Sequence, residues 1–181
     1  MKRNQRTENE PPPFDLGRDG EAHFERLRAC LENGQGFELF LCGFDAPNIL
    51  LEVRHRLAAA PPPGNVFEAL PLESPDVLLT IAERLAAIPP ASTRRKIVFA
   101  SAVGWEEDLK GEWTKALRRL NERRNITIHE CPNAVILSGP SWLPWLAHDV
   151  APDLWSVRTA IFTFPSPPAS PDRLAAPEIQ S

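Results

Sequence analysis

Cysteine, basic excess and long apolar runs are all scarce in this chain. Three cysteines (Cys30, Cys42 and Cys131) are too few and too scattered for a disulfide framework or a zinc knuckle, which points to a reducing cytoplasm. The formal charge is −4, so a generally basic nucleic-acid binder is not expected. No stretch approaches the roughly 18 consecutive apolar residues that a membrane span needs, so no membrane partner is expected. The first residues, Met1-Lys2-Arg3-Asn4-Gln5-Arg6, lead into no apolar segment, and no signal peptide is expected. Tyrosine is absent, whereas proline occurs 20 times among the 181 residues, at positions that punctuate the chain. The hydrophobic fraction of 43% suits one globular domain with tails.

Residues 1–20 are polar, contain Pro11-Pro12-Pro13 and lack apolar periodicity; residues 165–181 are rich in proline, serine and alanine. Both read as disordered tails, the second carrying the P-x-x-P spacings Pro165 to Pro168 and Pro168 to Pro171. The domain is then 21–164. Within it, apolar runs alternate with helical periodicity. Strands are expected at Phe37–Cys42, Val66–Leu70, Lys96–Ser101, Ala134–Ser138 and Thr159–Phe164. Helices are expected at Glu21–Asn33, Asn48–Ala60, Ser74–Ile88 (with Ser74 as N-cap and Pro75 at N1), Glu106–Arg124 and Ser141–Val150, with a short extended piece at Ile126–Ile128. Such alternation predicts an α/β fold, a three-layer α/β/α sandwich with a mostly parallel sheet of about five strands.

Ligands in open α/β sheets bind beyond the carboxyl ends of strands. The first such loop, Gly43-Phe44-Asp45-Ala46-Pro47-Asn48-Ile49-Leu50, sits where a phosphate-binding G-x-x-x-x-G-K-[ST] loop would be. Asn48 stands at the second glycine, Ile49 at the lysine and Leu50 at the hydroxyl, and Pro47 removes an amide donor. No G-x-G-x-x-G occurs. The third strand ends without an acid for Mg²⁺, the acids Glu106, Glu107 and Asp108 fitting a helical first turn instead; the fourth ends in Ser138-Gly139-Pro140 without a cation. No cofactor, metal or catalytic residue is therefore expected. If any ligand is held, Gly43, Asp45 and Asn48 are the remaining candidates.

Other chemistry is sparse. His23, His55, His129 and His148 are isolated. His129 and Cys131, if extended, would share a side; Asp45 and Glu130 are candidate paired carboxylates; Lys115, Arg118, Arg119, Arg123 and Arg124 form a basic run that suits a helix C-terminal half.

Two stretches form a denser signature: Leu120-Asn121-Glu122-Arg123-Arg124 and Ala151-Pro152-Asp153-Leu154-Trp155-Ser156-Val157-Arg158. They look like the LN-x-x-R and APD…W-S-x-R motifs of bacterial ATPase-like domains that often precede tetratricopeptide arrays. Over most of 34–164 the chain resembles the STAND class of P-loop NTPases, in branches that have lost their Walker motifs. That resemblance implies a strand order of 5-1-4-3-2 and a non-catalytic, nucleotide-binding-defective adaptor or regulatory module of a bacterial signalling or defence system. Its partner would be a protein, such as a larger signalling or effector protein. Trp155, Arg158, Asp153 and Trp142 are the expected partner-binding residues, because Trp and Arg are common anchors; Asp153 is also a candidate cap and ion-pair partner of Arg158. Rival readings are a nucleotide- or phosphoester-binding enzyme using Asp45, Asn48 and Arg158 at the strand-one crevice, a TIR-like or flavodoxin-like domain of order 2-1-3-4-5, and a small subunit whose tails fold on a partner.

Overall fold

A computed structural model describes residues 14–89, 93–102 and 109–168. Its five strands are β1 (Glu38–Phe44), β2 (Asn65–Leu72), β3 (Arg95–Ala102), β4 (Ala134–Pro140) and β5 (Ala160–Phe164). All neighbours pair in parallel, in the order β2-β3-β4-β1-β5. This is the 5-1-4-3-2 order read from the other edge, and it overturns the flavodoxin-like alternative.

The strands alternate their side chains between two cores. Phe40, Cys42 and Phe44 of β1, with Ile97, Phe99, Ile136, Phe162 and Phe164, face α1 (Gly17–Asn33) and α2 (Pro47–Ala59). Leu39 and Leu41, with Leu70, Val98, Ala100, Val135 and Leu137, face the opposite layer. That layer holds α3 (Pro75–Leu79), α4 (Ile81–Ala86), α5 (Leu109–Glu122), α6 (Arg124–Glu130), α7 (Leu143–Val150) and α8 (Pro152–Ser156). β4 is buried along its whole length, which is why its sequence reads as a continuous apolar run rather than an alternation.

Helix starts and breaks follow local chemistry. Ser74 caps α3 by accepting from Val77 N–H (3.3 Å), with Pro75 at N1. The expected single helix breaks at Thr80, whose hydroxyl turns back to Val77 O (2.8 Å) and competes with the helical ladder. The expected helix through Arg124 likewise divides at Arg123 (φ −99°, ψ 7°). The segment after it, expected to be extended at 126–128, is helical instead: Thr127 N–H donates to Arg123 O and Cys131 N–H to Thr127 O, both at 3.0 Å. Local i→i−4 closure there outweighs the β-branched composition that suggested a strand. Glu106–Asp108 lie outside the described residues.

α1 begins at Gly17 (φ +69°), four residues before the expected start. Leu16, buried just before it, anchors that extra turn. Arg56 of α2 then ties the layer together. It donates to Glu52 (2.7 Å), Glu21 (2.7 and 2.9 Å) and Phe14 O (3.0 Å), and lies 5.5 Å from the centre of the Phe24 ring. Phe44→Ala, which empties a fully buried site in this layer, is expected to lower unfolding free energy by about 3–5 kcal/mol, read by urea denaturation.

Candidate functional site

The crevice beside β1 is where this topology places a ligand, because α2 leaves β1 on one face and α7 leaves β4 on the other. Here the crevice is closed by the chain itself. β1 ends at Phe44 and α2 starts at Pro47, so only Asp45 and Ala46 connect them. A phosphate-cradling loop needs several successive free amides. Asp45 N–H is engaged by Phe164 O (3.1 Å), Pro47 has none, and Ile49 and Leu50 both donate to Ala46 O (3.2 and 3.4 Å). At most the amides of Ala46 and Asn48 remain. Asn48, Ile49 and Leu50 all lie within α2, where Ile49 and Leu50 point into the core.

The neighbouring turns fill the rest. A Cβ on Gly43 would stand 3.0 Å from Ser141 Cα and Ser141 O and 3.1 Å from Pro144 Cδ, so glycine is needed for this close approach rather than for a phosphate. On the other side the segment after β5 crosses over the connection: Ser166 N–H donates to Asp45 Oδ2 (3.1 Å), and Phe164 stacks on Phe44 at 4.8 Å between ring centres. Asp45 is thus a clamp for the chain after β5. Pro165–Pro168, expected to be disordered, includes this strapped segment.

The rival site does not assemble. Asp45 and Asn48 follow the carboxyl end of β1, whereas Arg158 precedes the amino end of the parallel strand β5. The register Phe40↔Ala160 sets Arg158 level with Glu38, roughly 20 Å below Asp45 at about 3.3 Å per residue. Glu130 precedes β4 and so lies at the same far end, which also separates it from Asp45. The His129/Cys131 pair fails too. His129 is exposed on α6, whereas Cys131 is buried at its C-cap beside Asn133 Nδ2 (3.5 Å), and burial raises its pKa. Burial raises that of Cys42 as well. Among the described residues, no cluster of three His, Cys, Asp or Glu side chains could hold a metal, and no helix is long and apolar enough to cross a membrane.

The basic run is mostly matched by acids. Arg119 and Arg123 both reach Glu83 of α4 (2.7 and 3.1 Å), which holds that carboxyl below its ordinary pKa after the contribution of its own backbone; Lys115 pairs with Glu112 (2.8 Å) and Arg124 with Asp153 (3.1 Å).

The two signature stretches meet in space, which spacing alone could not show. Asn121 Oδ1 accepts from Leu154 N–H (2.8 Å), capping α8 from the end of α5, and Leu120 and Leu154 are buried in the same core. Asp153 pairs with Arg124, not with Arg158 as expected. Arg158 instead lies 3.7 Å from the centre of the Trp155 ring and donates to Trp155 O (2.5 Å). Around Trp155 stand His148, edge-on at 4.9 Å, and Trp145 at 6.3 Å. Trp145 is 60% exposed, whereas Trp142, Trp155 and Arg158 are half-buried, so Trp145 is the exposed member of the corner it makes with Trp155 and Arg158. Trp142 and Trp145 could each, from sequence, either extend the patch or pack on the core; the structure sets Trp145 outward, among buried Leu143, Leu146 and Ala147.

Two outcomes test this geometry. Asn121→Ala is expected to cost about 1 kcal/mol in chemical denaturation, because the Leu154 amide loses its acceptor. Titration of the folded protein with an aromatic disulfide reagent at pH 8 is expected to modify Cys30 rapidly and the buried Cys42 and Cys131 only after denaturant is added.

No protein family and no curated protein matches this sequence. Among solved structures, the ORC2 protein of Aeropyrum pernix in its ADPNP–ADP complexes is similar, with a TM-score of 0.51 and 12% identity over 88% of this chain and 50% of that one. The ADP form of that protein gives a TM-score of 0.41 and 10% identity over 88% of this chain and 51% of that one. The chain thus spans about half the length of that protein. The likeness at this identity shows the fold: five parallel strands in P-loop NTPase-like order between two helical layers.

Proposed function

We propose that this chain is a nucleotide-independent interaction module: a P-loop NTPase-like frame that binds no nucleoside triphosphate and acts through a protein partner. The observation that carries this reading is the two-residue connection between β1 and α2. It has neither the length nor the free amides to wrap a β-phosphate, and Ser141, Pro144 and Ser166 lie against it. The residues where a lysine and a hydroxyl would be needed are Ile49 and Leu50, both buried. The Aeropyrum pernix protein, similar in fold, is described with ADPNP and ADP bound; at the loop after β1 this chain has Asn48, Ile49 and Leu50 in place of the glycine, lysine and hydroxyl of a phosphate-binding loop.

The partner-binding surface is the Trp155–Arg158 corner with Trp145, bordered by Asp153, with Trp142 at the start of the helix that carries Trp145. An exposed indole beside a stacked guanidinium offers apolar area at low entropic cost together with a fixed charge. The resemblance of the 120–124 and 151–158 stretches to STAND-class domains is what suggests an adaptor or regulatory component of a bacterial signalling or defence system as its setting. Isothermal calorimetry with ATP, ADP and GTP, with and without Mg²⁺, tests the reading. No saturable heat up to about 1 mM nucleotide, a Kd weaker than about −4 kcal/mol of binding energy, is expected. Micromolar, Mg²⁺-dependent binding would overturn it.

A further inference from the structure

Arg158 lies 3.7 Å from the centre of the Trp155 ring and uses Nη1 to donate to Trp155 O (2.5 Å). Its Nε and Nη2 have no hydrogen-bond partner among the described residues, and neither is buried. The indole Nε1 of Trp155 is likewise unbonded and unburied, and that of the exposed Trp145 has no partner among the described residues. A guanidinium and an indole donate hydrogen bonds and accept none. The corner therefore offers donors alone, set beside apolar ring surface. The acids that border it are already engaged. Asp153 pairs with Arg124 (3.1 Å), and Asp149 bonds His148 Nδ1 (2.9 Å).

Such a set is complemented by a group that only accepts and carries negative charge. A carboxylate does both, and its two oxygens match the parallel N–H bonds on the Nε–Nη2 edge of a guanidinium. Stacking on Trp155 fixes the plane of that edge. A phosphate dianion suits the corner less well. Arg124, the other cation against α8, is committed to Asp153, so a single free guanidinium would leave part of the dianion's charge unmatched. Trp145, 60% exposed and 6.3 Å from Trp155, adds an apolar anchor. In an extended segment, side chains two residues apart lie on one side, roughly 7 Å from each other at about 3.3 Å per residue. We propose, on the reading of this corner as the partner-binding surface, that it takes an acidic segment of a partner protein. An Asp or Glu carboxylate sits on the Arg158 fork, and a large apolar side chain two residues away packs against Trp145. Nothing in this contact involves the connection between β1 and α2.

Selection of a phage-displayed library of random peptides on the full chain tests the chemistry. Enriched peptides should carry Asp or Glu two residues from a large apolar residue. In calorimetry of the synthetic peptides, Arg158→Gln, Arg158→Lys and Trp145→Ala, each with native circular dichroism, should weaken binding about tenfold or more. Arg158→Lys keeps the charge and removes the fork. Exchange of the peptide's Asp or Glu for Asn or Gln should cost as much. Enriched peptides that are basic or uncharged, and whose binding depends on Trp145, would overturn the acidic partner while leaving the corner a docking surface. Peptides indifferent to the Arg158 and Trp145 variants, or no enrichment at all, would overturn the corner as a docking surface and the acidic partner with it.

Discussion

Phe44 stacks on Phe164 at an interplanar angle of 6°, and the next residue, Asp45, donates its amide to Phe164 O and accepts from Ser166 N–H through its carboxylate. This pairing of the ends of β1 and β5 is the constraint on which the rest depends. β1 is an inner strand covered on both faces, and its carboxyl end lies in the crevice between α2 and α7. Stacking the last aromatic of β1 on the last aromatic of β5 draws the post-β5 segment across that place. With Asp45 committed to Ser166 and Pro47 starting α2, the chain turns from strand to helix in two residues and the loop has no room to open.

The second organising contact lies at the opposite end of the sheet. α8 is only five residues long and would be marginal alone; Asn121 at the end of α5 and Arg124 at the start of α6 fix it by a cap and an ion pair. Leu154 is then buried, and Trp155 is left at the surface edge, where Arg158, His148 and Trp145 surround it. The signature residues therefore divide by role. Asn121, Arg124, Asp153 and Leu154 build the scaffold, and Trp155 and Arg158 are what it presents.

The fold was legible wherever burial on both faces wrote a continuous apolar run, as in Phe37–Cys42 and Ala134–Ser138, and wherever proline punctuated a helix, as at Pro75. It was not legible where a side chain overrode periodicity. Thr80 breaks a helix by bonding its own backbone, and Thr127, in a segment that composition marked as extended, closes a helical turn through both its amide and its hydroxyl. That Asn48, Ile49 and Leu50 stand where a phosphate-binding loop has glycine, lysine and a hydroxyl could be read directly from the sequence. The closing of the crevice could not, because Ser141, Pro144 and Ser166 come from turns separated from Gly43 by more than ninety residues. Likewise, the placement of Arg158 at the far end of the sheet from Asp45 follows from parallel register, which no local pattern reveals.

A β1–α2 connection closed to nucleotide has amides that nucleotide cannot protect. Amide hydrogen exchange across residues 43–50, followed by mass spectrometry with and without 5 mM Mg²⁺-ATP, addresses those amides directly. Identical exchange is expected in both conditions. Slower exchange at residues 43–50 in the presence of nucleotide would mean that the connection opens and cradles phosphate, and would contradict it.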